Sequence, residues 1–97
     1  MDKNNELIIL YDYYGNLLTD KQQAYFEDYY FNNYTLSEIS ENSNVSRNAI
    51  HKQLKEVEDK LCYYESKQQL YDKSKKITLL LEKINDEDLK NKIEELL

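Results

Sequence analysis

Proline is absent from this 97-residue chain, tryptophan is absent too, and glycine occurs once, at Gly15. Without them, tight hairpin turns and glycine-rich phosphate loops have little to be built from. That excludes P-loop and dinucleotide-loop chemistry and favours an all-helical chain whose turns use Asn and Ser. One cysteine, Cys62, permits no internal disulfide, and one histidine, His51, leaves no clustered set of ligands for structural zinc. No metal and no cofactor are expected. No apolar run reaches the about 18 residues of a membrane span, and mean hydropathy is −0.90. The opening Met-Asp-Lys-Asn-Asn-Glu lacks a signal peptide's basic start, so a cytoplasmic protein is expected. The length fits one compact unit without room for a large active-site cleft, hence neither an enzyme nor a small-molecule substrate is expected.

In place of breakers the chain carries ten tyrosines and 33% charged residues. Nineteen acids against thirteen bases give a net charge of −6, the wrong sign for a simple nucleic-acid coat. The distribution is uneven. Residues 1–46 hold two lysines against eight acids, whereas residues 47–61 hold Arg47, Lys52, Lys55 and Lys60 against three. Residues 62–97 nearly balance, with seven lysines and eight acids, as a solvated helical arm does. The only arginine, Arg47, therefore sits in the one locally basic stretch, while the acidic first half is suited to docking a basic protein.

Period and caps place the helices. Leu7, Leu10, Tyr11 and Tyr14 form one apolar stripe on a first helix ended by Gly15-Asn16. Thr19 with Gln22, and Thr35 with Glu38, have capping-box spacing and open a second and a third helix. Phe26, Tyr29 and Tyr30 mark the buried side of the second, which Asn32-Asn33 stops, and Leu36 and Ile39 that of the third. Tyr11, Tyr14, Tyr29 and Tyr30 are thus expected in the core, not as a base-stacking platform, and Cys62 is expected to pack as a small hydrophobe. From Arg47 no breaker appears until Asn85-Asp86, so one long helix or two are both open, with Lys67-Gln68-Gln69 the place where the face would change. Ile50, Leu54, Val57, Leu61 and Tyr64 make one seam, while Leu70, Ile77 and Ile84 recur at seven and point to a helical partner. Asp86 then caps a terminal helix bearing Leu89, Ile93, Leu96 and Leu97.

Residues 36–54 carry the functional signal, as a helix-turn-helix. A two-turn helix leads to the turn Asn42-Ser43-Asn44, left-handed at Asn44, with Val45 plugging the corner and Ser46 capping the next helix. The exposed start of that helix, with Ser46, Arg47, Asn48, His51 and Lys52, suits a major groove, and Lys55 would reach phosphate. Four phosphate contacts, from Arg47, Lys52, Lys55 and Lys60, would give a salt slope of about −3.6 per protomer. Against the acidic body, duplex binding then requires a dimer with two such helices about 34 Å apart. His51 has no nucleophile or carboxylate at a readable spacing, so it is not read as a catalytic base. The chain divides into a helix-turn-helix domain, 1–61, and a dimerising C-terminal helical arm, 62–97.

Five blocks carry a resemblance: Leu17 to Gln22, Tyr25 to Tyr30, Tyr34 to Glu41, Val45 to Ile50, and Tyr64-Glu65-Ser66-Lys67. Together they resemble the YlxM family, small bacterial helix-turn-helix proteins similar in their first part to the fourth region of sigma-70-type factors. The resemblance implies an all-helical, winged-helix-free, dimeric regulatory protein without enzymatic activity. It also implies action in the signal recognition particle pathway, by binding the particle's protein or RNA, while the helix-turn-helix pattern of residues 46–55 keeps a transcription regulator of operator DNA as the alternative. The chain departs from the family's usual residues at Asn48, at His51-Lys52 and at Ser43-Asn44, and a polar Ser43 predicts a looser corner.

Overall fold

The computed structural model describes residues 2–97, which form helices and no strand. The first helix, α1 (Lys3–Tyr14), begins where Asp2 accepts the amide of Asn5 at 2.9 Å. It ends at Gly15, as the sequence predicts, and a 3-10 turn follows at Gly15–Leu17. Gly15 has φ −55°, so its value lies in close approach: a Cβ there would stand 3.0 Å from the Tyr11 ring.

Both predicted capping boxes form. Thr19 Oγ1 accepts the Gln22 amide at 3.1 Å and Gln22 Oε1 the Thr19 amide at 3.2 Å, opening α2 (Asp20–Tyr30). Thr35 and Glu38 do the same for α3 (Leu36–Ser43), at 3.1 and 3.0 Å. These reciprocal bonds satisfy amides that helix geometry leaves without partners. Asn44 is left-handed at φ 59°, and Ser46 accepts the Ala49 amide at 3.1 Å to start α4 (Arg47–Gln68). The polar Ser43 is not loose, since its hydroxyl donates to the Ile39 carbonyl at 2.5 Å. Val45 does not plug the corner: it is 38% exposed and rims a cleft between α2 and α4.

The long span without a breaker is two helices. Gln69 turns left-handed at φ 55° between α4 and α5 (Leu70–Leu81), and Asp86 accepts the Leu89 amide to open α6 (Glu87–Glu94). The predicted change of face thus falls at the end of Lys67-Gln68-Gln69. Because α5 stops at Leu81, Ile84 lies beyond it and does not continue the seven-residue row of Leu70 and Ile77.

Helix α4 is the spine of the molecule. Its Ile50 and Leu54 pack with Ile39 of α3, joined by Tyr25 and Leu36, and so hold the helix-turn-helix together. One to two turns on, Val57 and Leu61 join Leu7, Leu10, Tyr14, Leu18 and Phe26 in the larger core. Phe26, fully buried, is stacked between Tyr11 at 4.3 Å and Tyr30 at 4.4 Å. Burial of such a ring contributes about 1.5–3 kcal/mol, and each aromatic pair about 0.5–1.5 kcal/mol more. The radius of gyration, 17.0 Å, exceeds the roughly 12.5 Å of a globular chain this long, and the longest axis is 55 Å.

Candidate nucleic-acid interface

Ser46, Arg47, Asn48, His51, Lys52 and Lys55 are all exposed in the structure. At about 100° per residue, Arg47, Asn48, His51, Lys52 and Lys55 fall within an arc of roughly 140° on α4. The buried Ile50, Leu54, Val57 and Leu61 occupy a separate arc that fixes the helix against α1, α2 and α3. The same seam that anchors α4 therefore presents its polar residues outward, with the amides of its first turn at the exposed end. Such an end favours phosphate through its dipole and free N–H groups.

The four cations of residues 47–61 are not equivalent. Lys55 pairs with Asp59 at 3.4 Å, both exposed. Lys60 is half-buried and donates to Gln22 Oε1 at 3.1 Å. Gln22, a buried polar residue at 4% exposure, in turn reaches Gln53 Oε1 at 3.3 Å. Lys60 thus braces α2 against α4. Arg47 and Lys52 make no ion pair among the described residues, where only Lys55–Asp59 and Lys76–Asp72 do.

Two residues read as core lie outside it. Tyr29 is 38% exposed, edge-on to Tyr30 with ring centroids 5.1 Å apart, and lines an open depression with Arg47. Its helical period is that of the inward stripe, but Asn4, the segment from Asn33 to Ser37, and Arg47 border the ring without closing over it. Cys62 is likewise exposed. The part of its side chain that is covered, together with Glu6, pushes its thiol up, the opposite of an activated nucleophile. Among the described residues no three of His, Cys, Asp or Glu are grouped to hold a metal ion, and no helix is long and apolar enough to cross a membrane.

With the helix-turn-helix and its outward face in place, sequence comparison decides the kinship. A family model described as "Putative helix-turn-helix protein, YlxM / p13 like" (UPF0122) matches residues 1–97. The chain belongs to this family. The UPF0122 protein of Caldanaerobacter subterraneus subsp. tengcongensis is 46% identical over 80 residues, 82% of this chain and 68% of that one. That of Malacoplasma penetrans is 51% identical over 63 residues, 65% of this chain and 59% of its own length. That of Ureaplasma urealyticum is 42% identical over 98 residues, 99% of each chain. The YlxM resemblance read from five blocks of sequence is thereby established.

Glu65 had no role legible in the sequence. Its carboxylate accepts the Tyr14 hydroxyl at 2.6 Å and the amides of Tyr71 and Asp72 at 3.1 and 3.0 Å, while the Tyr14 hydroxyl accepts the Leu70 amide at 3.0 Å. The first three amides of α5 are therefore capped by α1 and α4, and Gln69 itself makes no side-chain cap. A carboxylate six and seven residues before the amides it caps carries no capping-box spacing, so only the fold assigns it.

Proposed function

We propose that this protein is a cytoplasmic regulator that works by binding, without catalytic chemistry, and takes part in the signal recognition particle pathway through the particle's protein or RNA. The observation that carries the reading is the rigidly anchored, outward face of α4, where Arg47 and Lys52 are free to meet phosphate. Residues 1–61 supply that helix-turn-helix face, and residues 62–97 form the arm. A second copy covers the arm's exposed Leu70, Ile77 and Leu80, which share one side of α5, making a homodimer with two α4 faces. Operator DNA is the second reading, favoured by Ser46, Arg47 and Asn48 standing at the exposed start of a helix behind a tight turn, as groove entry requires.

One titration separates the two. Labelled protein is mixed with the reconstituted particle at about 150 mM salt, where weak nonspecific contacts are screened, and random-sequence duplex is then added in excess. Binding that survives the duplex is the expected result. Binding that the duplex abolishes moves the assignment to DNA, and no association with either the particle's protein or its RNA overturns the pathway reading.

A further inference from the structure

We infer that the trough beside α4 takes an unpaired nucleobase, so that the strand this protein binds is single-stranded or looped. This rests on the reading of α4 as the nucleic-acid face and specifies its ligand. Three adjoining depressions share the floor residue Leu36. Tyr29 and Tyr34 line the largest, of about 440 Å³, together with Arg47. His51 closes the side toward α4, and Asn4 lines the two depressions that Tyr29 shares. Tyr29 and Tyr34 are 38% and 37% exposed, large rings left open to solvent in a chain that buries Tyr14 and Phe26 completely.

The combination has one natural ligand chemistry. Aromatic faces stack on bases of any sequence, an arginine meets phosphate or stacks in its turn, and amide side chains reach base edges. Inside a duplex both faces of a base are already covered by its neighbours, so rings lining a trough have nothing to stack on. An unpaired base fits, and the phosphate next to it comes within reach of Arg47 and Lys52 on the adjoining face. The acidic body limits binding to this strip, since Glu58 stands at the Lys55 end of the trough with its carboxylate already accepting the Tyr30 hydroxyl at 3.0 Å.

The test is fluorescence anisotropy with three labelled probes: an adenine-rich RNA strand of about ten nucleotides, the same sequence as DNA, and the corresponding duplex, a length that covers the usual single-strand site. Wild type is expected to prefer the single strands. Tyr29→Leu and Tyr34→Leu are each expected to weaken single-strand binding about five- to tenfold and to leave duplex binding unchanged, whereas Tyr29→Phe and Tyr34→Phe retain it. The RNA and DNA arms report whether a 2′-hydroxyl is read. Duplex bound as tightly as single strands, or leucine variants that bind as wild type does, overturns the inference. If duplex binding is lost in Arg47→Ala while the tyrosine variants behave normally, only the stacking site fails. No binding to any probe refutes both the site and the nucleic-acid face.

Discussion

Tyr11, Tyr14 and Tyr30 each donate a hydroxyl to a carboxylate from another helix: Glu27 at 2.6 Å, Glu65 at 2.6 Å and Glu58 at 3.0 Å. Burial, and then the bond to the carboxylate, raises all three phenols above their ordinary value. A folded-state pKa above the unfolded one means that the folded chain holds its proton longer. The stabilisation is full below about pH 10 and is lost as pH rises through the folded values. Alkaline titration followed by phenolate absorbance and circular dichroism should show a late ionisation that coincides with loss of helix. That late component should vanish in the variant combining Tyr11→Phe, Tyr14→Phe and Tyr30→Phe. Identical phenolate curves for the two proteins would refute this role for the hydroxyls.

At the scale of elements, the joint between α4 and α5 is where sequence and tertiary structure pull differently. Residues 47–81 contain no proline or glycine, and a left-handed Gln69 costs about 1 kcal/mol relative to glycine. The bend persists because Glu65 and Tyr14 satisfy the three amides of the new helix, bonds worth about 1–3 kcal/mol each where the acceptor is charged. Two substitutions should therefore act in opposite directions. Gln69→Gly is expected to stabilise the chain by about 0.5–1 kcal/mol, and Glu65→Ala to destabilise it by about 2 kcal/mol. Urea midpoints at constant slope measure both; a destabilised Gln69→Gly variant would refute the cost at Gln69, and an unchanged Glu65→Ala midpoint would mean that the bend is not held by these caps.

For the whole molecule, charge placement governs how it meets a polyanion. Counting cations in the sequence gives four phosphate contacts, but Lys55 is paired with Asp59 and Lys60 is committed to Gln22. With Arg47 and Lys52 remaining, the logarithmic salt slope for duplex should be about −1.8 per protomer, not −3.6, and Arg47→Ala should reduce its magnitude by about 0.9. A dimer engaging two sites doubles the slope. Binding isotherms between about 50 and 200 mM salt, run alongside sedimentation to count protomers, give the value. A slope near −3.6 in a monomer would show that the Lys55 and Lys60 contacts open on binding.

The amino-acid sequence by itself determined where most helices begin and how the helix-turn-helix is made. Thr19, Thr35, Ser46 and Asp86 each cap amides within one turn of themselves, and Asn44 is left-handed at the corner, all local events that spacing reveals. The core stripes of α1 and α4 were legible for the same reason, because a helical period reports which residues share a face. Only the tertiary structure decided what that face meets. Tyr29 shares its period with buried residues yet stays 38% exposed, because Asn4, Leu36 and Arg47, from three other helices, border it without closing over it. Whether Lys60 was free depended on Gln22, on another helix, whereas the Lys55–Asp59 pair, four residues apart on α4, is a spacing the sequence shows. The start of α5 waited on a hydroxyl 56 residues back in the chain. Capping acts over one helical turn and can be read along the chain, whereas exposure and pairing are properties of neighbours that folding brings together.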